Sequence, residues 1–333
     1  MKALALFSGG LDSMLAMKLL SDQGIEVIAL HVDIGFNSKK AAHENLARRA
    51  KIAGARLEVV DVHNEYLQEV LFNPRYGYGK QFNPCIDCHG YMFRLAKTLL
   101  SEFGASFVIT GEVVGQRPMS QTKEALRNVK RLADDLDENL ILRPLSAKLM
   151  EETTPEKEGW VDRTRLLDFN GRGRSRQLEL AKSFGWEDYP TPAGGCLLTD
   201  IQFSARIKDL LAHETFETSD TLILKNGRHF RLEDGAKLVL GRNQHENDFL
   251  ECVQSSKYLP LHVKELNAPS GLLSTNASKK DRLEACKILL SYTKADENAF
   301  YDVGVGEVFI HACPYPSRDE AKKYLSNQLA SNS

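Results

Sequence analysis

The chain has 333 residues, of which 42% are hydrophobic and 26% charged, and its 43 basic and 45 acidic side chains leave a formal net charge of −2. That length exceeds one compact core and predicts two domains, while near-neutrality leaves any polyanionic partner to be held by local clusters of Lys and Arg. No apolar run approaches the ~20 residues of a membrane span and no secretory leader opens the chain, so a cytoplasmic protein without a membrane partner is expected, in which the cysteines are buried small residues or chemistry rather than a disulfide framework.

In chain order, short β-rich runs alternate with helical patterns, the signature of an α/β, doubly wound, mostly parallel sheet. Strands are predicted at KALALF (2–7), EVIALHV (26–32), RLEVVDV (56–62), SFVIT (106–110) and LILRPL (140–145). Apolar residues at helical spacing predict helices over 12–24, 38–54, 91–104 and 123–136. Beyond residue 150 the text turns polar and irregular through NGRGRSR, then gives a helix at QLELAKSFG and the stretch YPTPAGGCLLTD, all expected to fold back over the first sheet. From about residue 215 short runs alternate with turns, predicting a smaller α+β domain with KKDRLEACKILLSYTK as its clearest helix. Domains are expected at 1–205 and 215–325.

Residues 8 to 13 read SGGLDS, between the first strand and the first helix. A plain turn there needs one glycine and one capping residue. Gly9 and Gly10 also let a phosphate approach the backbone, with the N–H groups of Ser8 to Ser13 and the helix N-terminus facing it. The Gly-Lys-Ser/Thr ending of a Walker loop is absent, as is the third glycine of the dinucleotide fingerprint. Ser-Gly-Gly-x-Asp-Ser after a first strand instead resembles the PP-loop of the ATP pyrophosphatases, which split ATP between the α- and β-phosphates and adenylate a carbonyl oxygen.

A second segment, TGEVVGQRPMSQT (110–122), is similar to one in the tRNA 4-thiouridine synthases, with one extra residue before Ser120, and ILRPL (141–145) resembles the strand that follows it there. This resemblance spans about residues 3 to 200. It implies ATP and Mg2+ as cofactors, with Leu6, Phe7, His31, Val32, Gly111 and Gln121 lining the adenosine pocket and Arg94 as a further candidate. Ser8, Gly9, Gly10, Asp12 and Ser13 would orient the phosphates, Asp12 catalytically. For the apolar positions core packing is an equally good reading.

In FNPCIDCHGYMF (82–93) Cys85 and Cys88 stand two residues apart, and TPAGGC adds Cys196. Cys-x-x-Cys-His as a haem attachment needs an exported protein; a zinc with His89 as fourth ligand and ligand-free buried thiols both stay open. In tRNA 2-thiouridylases, Asn-Pro-Asp-x-x-Cys-Asn carries a catalytic cysteine. Here Asn83, Pro84 and Cys88 match it, Cys85 replaces the Asp, and Cys196 matches a second, distant cysteine. Thiolases with this three-cysteine pattern resemble iron–sulfur enzymes, which implies Cys85, Cys88 and Cys196 as ligands of a [4Fe–4S] cluster with one iron open to a sulfur nucleophile. The alternative is a persulfide on Cys196 that Cys88 resolves. Cys252, Cys286 and Cys313 have no metal spacing.

Because the text begins at its first strand, the RNA is expected to be held elsewhere than by the N-terminal extension of the usual 4-thiouridine synthases. LVLGRNQHENDFLECV and LPLHVKELNAPSGLL resemble the RNA-binding module of the NFACT proteins. In residues 223–242 five basic side chains (Lys225, Arg228, Arg231, Lys237, Arg242) face two acidic ones (Glu233, Asp234), which suits phosphate contacts. Arg228, Arg231 and Arg242 are the RNA candidates there, and Arg172, Arg174 and Arg176 form a second basic cluster that could grip tRNA or pyrophosphate. The combined expectation is ATP-dependent tRNA uridine thiolation, with tRNA and a sulfur donor (a cysteine desulfurase or free sulfide) as partners and a homodimer admitted. Its rivals are a PP-loop enzyme that amidates or sulfurates a small molecule and a non-catalytic RNA- or nucleotide-binding protein.

Overall fold

Ala3, Leu4 and Ala5 are covered on both faces, as the central strand of a parallel sheet must be. In the computed structural model, which describes residues 1–37, 43–189 and 196–326, they belong to β1 (Lys2–Leu6), followed by α1 (Leu11–Ser21), β2 (Glu26–Asp33), α2 (His43–Ile52) and β3 (Ala55–Asp61). A short helix α3 (His63–Tyr66) leads on to α4 (Cys85–Thr98), α5 (Leu100–Phe103), β4 (Phe107–Thr110), α6 (Lys123–Leu132) and β5 (Ile141–Leu142). The turn helix α7 (Thr154–Lys157) and α8 (Ser175–Ser183) complete the first of two units, Met1–Thr199.

The five strands pair in the order β3-β2-β1-β4-β5, every pair parallel. The chain walks outward from β1 to β3 and returns to lay β4 on the other side of β1. The order therefore reverses between β1 and β4, and the loops leaving those two strands meet at their carboxyl ends, where open α/β sheets bind ligands. Ala3, Ala5, Val27, Ala29, Phe107 and Ile109 pack with Met14, Met17, Leu20, Leu46 and Ala50 of α1 and α2. Helix α4, joined to α6, lies against β1 and β4, and Leu11, Leu15 and Ala16 of α1 pack with Phe169 and Ala181 beneath α8. The doubly wound sheet follows from these layers.

Two elements differ from expectation, and parts of two others lie outside the described residues. Strand β5 keeps only Ile141 and Leu142, because Pro144 has no N–H for a ladder and the chain turns there, Ser146 N–H donating to the Arg143 carbonyl at 3.0 Å. Helix α4 begins at Cys85 rather than at residue 91: the Cys88 N–H reaches the Pro84 carbonyl at 2.8 Å, so both cysteines lie in its first turn. Of the helix expected over 38–54, residues 43–52 are helical and 38–42 lie outside the described residues, as do 190–195 of YPTPAGGC.

The second unit, Asp200–Ser333, contains α9 (Ile201–His213), α10 (Asp220–Lys225), β6 (Arg228–Arg231), β7 (Lys237–Leu240), α11 (Gln244–Cys252), β8 (Tyr258–Val263), β9 (Gly271–Ser274), α12 (Lys279–Ser291), β10 (Tyr301–Val305), β11 (Val308–Ala312) and α13 (Arg318–Lys322). Its six strands run β11-β10-β8-β9-β7-β6, all antiparallel. One face packs on α12 through Leu238, Leu261, Leu273, Val303 and Val305 against Ala285, Ile288 and Leu289. On the opposite face Val239, Tyr258 and Leu272 pack with Ile223 of α10 and Leu250 of α11. The GRN…N motif serves this fold: a side chain at Gly241 would meet Asn247 Oδ1 at 2.0 Å, that oxygen accepts from Ser270 N–H at 3.2 Å, and Asn243 caps α11 by accepting from Glu246 N–H at 3.1 Å.

Candidate active site at the carboxyl end of the first sheet

The loop after β1 takes its shape from Gly9, whose φ of +77° is left-handed and whose absent side chain would strike Leu46 Cδ2 at 2.6 Å. Gly10 occupies the N-cap of α1, so no side chain caps the first turn, and Ser13 Oγ donates back to the Gly10 carbonyl at 2.8 Å. The chain leaving β4 comes so close that a Cβ on Gly111 would lie 2.4 Å from the Ser13 nitrogen. Glycine is thus required at Gly111 by a backbone approach between the two loops.

Asp12 stands in that first turn with one oxygen used: Gln116 Nε2 donates to Oδ2 at 2.8 Å, and Arg174 Nη2 lies 3.6 Å from the same atom. Asp12 Oδ1, Arg174 Nε, Arg49 Nε and Gln121 Oε1 are buried without hydrogen-bond partners. Arg49 Nη1 approaches the Gly9 carbonyl at 3.5 Å while its Nη2 lies 3.5 Å from Asp188. Buried polar groups are paired in folded proteins unless something else completes them. Asp12, Arg49 and Arg174 thus bring three orphaned atoms to one glycine loop, and the fourth, on Gln121, belongs to the loop after β4.

His31 and Phe7 have structural duties. His31 Nδ1 donates to the Phe7 carbonyl at 2.8 Å, Asn37 Nδ2 donates to its Nε2 at 3.3 Å, and the Phe7 ring is in the core beside Met14. Val32 is buried and Leu6 half-buried. Ser8 is exposed on the loop. Arg94 is answered by Glu69 at 2.7 Å and lies over the Tyr91 ring.

The three cysteines meet at the same end of the sheet. Cys85 and Cys88 share the first turn of α4, and Cys196 is brought to the loop after β2 by a bridge to Asn37 and by Leu197 N–H donating to the Phe36 carbonyl at 3.0 Å. Asn83 Nδ2 donates to Cys85 Sγ at 3.1 Å. Tyr66 is wholly buried, its ring against Phe36 and Tyr91, and its hydroxyl, with no nitrogen or oxygen partner, faces Cys88. Burial pushes the Cys88 thiol up, the neighbouring Cys196 adds to this, and the Tyr66 hydroxyl opposes it. Burial likewise pushes Cys196 up to about 11, with Cys85 contributing. Among the described residues no three His, Cys, Asp or Glu side chains converge on a single metal-sized point.

Between the glycine loop and the cysteines lies Glu112. His89 Nδ1 donates to its Oε1 at 2.8 Å and Arg143 Nε to its Oε2 at 2.9 Å. Burial alone would raise this carboxyl, but Arg143 and His89 outweigh it and hold it below its ordinary range.

The arginine candidates divide. Arg172 is exposed, Arg174 faces Asp12, and Arg176 is ion-paired with Asp168 at 2.6 Å over the Phe169 ring. In the second unit Arg231 is a correction: it is buried, bound to Asp209 at 2.9 Å and to Glu214 at 3.3 Å, and cannot meet RNA without breaking the fold. Lys237, fully buried, holds the same Asp209 at 2.6 Å. Arg242 is clamped by Glu246 through several hydrogen bonds, and Arg228 donates to the Gly241 carbonyl at 3.1 Å beneath the Tyr292 ring. Counting basic letters could not reveal these internal partners. Sequence reasoning also passed over Arg49, Gln116 and Tyr66; Gln116 lies in the quoted TGEVVGQ segment, whereas nothing local distinguishes Arg49 or Tyr66.

The two units match two family models. Residues 1–152 match the thiamine biosynthesis protein (ThiI) model, and residues 227–311 match the NFACT protein RNA binding domain. The first unit is thus similar to the ThiI family over residues 1–152, and the match contains the glycine loop, Cys85 and Cys88 while Cys196 lies beyond it. Among curated proteins the chain is 33% identical over 146 residues to the tRNA-specific 2-thiouridylase MnmA of Helicobacter hepaticus, covering 42% of this chain and 40% of that protein. It is 32% identical over 152 residues to a probable tRNA sulfurtransferase of Thermococcus kodakarensis, covering 45% and 38%. The chain therefore spans about two-fifths of the length of these relatives. A crystal structure of a 4-thiouridine synthetase–RNA complex with bound ATP aligns with 55% of this chain and 40% of that one, at 23% identity and a TM-score of 0.40.

Proposed function

We propose that this chain is an ATP-dependent tRNA sulfurtransferase. The observation that supports this most is the placement of two sites at the carboxyl end of one sheet: a glycine loop beside orphaned polar atoms, and three cysteines next to the buried Tyr66 phenol, whose hydroxyl faces Cys88. In the proposed reaction a uridine carbonyl oxygen attacks the α-phosphorus of ATP and pyrophosphate leaves. A sulfur nucleophile then forms the C–S bond as the C–O bond breaks, and AMP departs. Backbone N–H groups of the loop and the α1 N-terminus stabilise the departing pyrophosphate. Asp12 Oδ1, buried and unbonded, fits a Mg2+ site, with Arg174 and Arg49 placed to take phosphate charge.

The cysteine site fits a [4Fe–4S] cluster held by Cys85, Cys88 and Cys196. Its donors are soft thiols close enough for their charged forms to oppose one another, and the buried Tyr66 hydroxyl faces Cys88. A cubane needs ligands spaced around a body several ångströms across, whereas zinc needs four that converge. Cys85, Cys88 and Cys196 would hold such a cluster, which would supply iron able to carry the sulfur nucleophile. In this reading His89 is held by Glu112 as a supporting residue, sulfur arrives from a cysteine desulfurase or as free sulfide, and the cytoplasm supplies the tRNA. The test is incubation of the anaerobically prepared chain with ATP, Mg2+, sulfide and a tRNA transcript, followed by nucleoside mass spectrometry. A uridine heavier by one sulfur-for-oxygen exchange, with AMP and pyrophosphate in equal amounts, is expected; AMP formation on a small-molecule acceptor with tRNA unchanged would contradict it.

A further inference from the structure

The antiparallel sheet of the second unit is covered unequally. One face is closed by α12, and the other is covered by α10 and α11 over β7 and β9. Over β8, β10 and β11 the alternation sends Leu261, Val303 and Val305 inward to the α12 core, which turns His262, Asp302, Gly304, Phe309 and His311 to the open side. Register aligns His262, Gly304 and Phe309 in one rung. A side chain on Gly304 would lie 2.4 Å from the His262 ring, so its absence lets His262 and Phe309 meet edge to face at 6.1 Å. In the next rung His311 Nδ1 donates to Asp302 at 3.0 Å, and its ring stacks on Phe300 at 5.1 Å with 14° between planes. Lys264 Nζ stands 5.3 Å from the Phe309 centroid.

Phe300 is 59% and Phe309 55% exposed. Single exposed aromatics need no explanation, but two phenylalanines and two imidazoles sharing one open sheet face form a patch. Arg231 of β6 and Arg242, just after β7, have their charges answered within the domain, and Arg228 is held by the Gly241 carbonyl and the Tyr292 ring. The aromatic face offers another chemistry, since unpaired bases stack on rings whatever their sequence, and a lysine beside the rings suits the backbone phosphate.

We propose that this face, centred on Phe309 and Phe300, is a base-stacking platform for unpaired nucleotides of the RNA substrate. The inference rests on the RNA reading above, and the platform lies within residues 227–311 of the RNA-binding-domain match. It is tested with the full chain and a tRNA transcript, by measuring affinity against salt for wild type, Phe309→Ala, Phe300→Ala, the double variant and Phe309→Trp. Each alanine removes one base–ring stack and is expected to weaken binding about tenfold, and the double more, with the salt slope unchanged because no counterion is released. Phe309→Trp keeps the affinity, and all variants keep the wild-type melting temperature. Wild-type affinity in the double variant overturns the platform while leaving the RNA reading intact, and a change of oligomeric mass with unchanged affinity overturns it in favour of a protein interface. A wild-type chain without tRNA affinity overturns both.

Discussion

Arg174 in the first unit and Arg231 in the second each face an aspartate, and only one of the pairs is closed. Arg231 donates to both oxygens of Asp209 at 2.9 Å, and Lys237 and Glu214 complete the network. Arg174 stands 3.6 Å from Asp12, and an atom on each side of that pair is buried and unbonded. The closed network is part of what holds α9 to β6 and β7. The open pair leaves two buried polar atoms unmet, each at a cost of about 1–3 kcal/mol. Arginines that look interchangeable as letters are thus set apart by what surrounds them: Arg231 is saturated within the fold, and Arg174 keeps a buried nitrogen unmet.

Substitutions at these residues separate the two arrangements. Asp12→Asn should lower pyrophosphate release from ATP about 10²- to 10³-fold, the scale of removing one preorganised electrostatic group, with the melting temperature little changed. An assay of pyrophosphate against time checks this; undiminished release would mean that Asp12 has no part in the reaction. Arg231→Ala should unfold the second unit more readily by about 3–5 kcal/mol, because Asp209 is left buried with one cation fewer. Arg174→Ala should cost under about 1 kcal/mol yet raise the KM for ATP about tenfold. Urea titrations of both variants beside ATP kinetics read the two effects separately, and equal destabilisation would erase the distinction.

Much of the first unit was legible because local patterns and topology agree there: the apolar strands, the glycine loop and the Cys-x-x-Cys turn each need only neighbouring residues. The meeting of Cys196 with Cys85 and Cys88 needs the loop after β2 to pair with a segment far along the chain, which the resemblance implied but spacing did not. In the second unit the basic residues of β6 and β7 read as a surface because their counter-ions, Asp209 and Glu214, come from α9 and its exit. No window over β6 and β7 contains them. The aromatic face was hidden for the opposite reason, since Phe300, Phe309 and His262 are unremarkable until the register puts them side by side.

The smallest expected effect concerns pH. Burial, then Lys237, Arg206 and Arg242, hold His229 well below its ordinary 6.5, so it stays neutral in the fold, its Nε2 donating to the Asn226 carbonyl at 2.8 Å. The unfolded chain binds a proton near pH 6.5 that the folded chain does not, so this stability is complete above that pH and declines below it. The loss is at most about 1.4 kcal/mol per pH unit. Denaturant melts of the second unit between pH 7 and 5 should show a shallower decline for His229→Gln than for wild type.

The central claim is that one sheet edge carries two separable half-reactions. It is tested most directly by assaying Cys196→Ala for both pyrophosphate release and thiolated uridine on the same tRNA, with ATP, Mg2+ and sulfide present. The account predicts that adenylation persists within a fewfold of wild type while the thiolated nucleoside disappears. Thiolation at the wild-type level in Cys196→Ala, or loss of both activities in a variant that keeps its melting temperature, would contradict it.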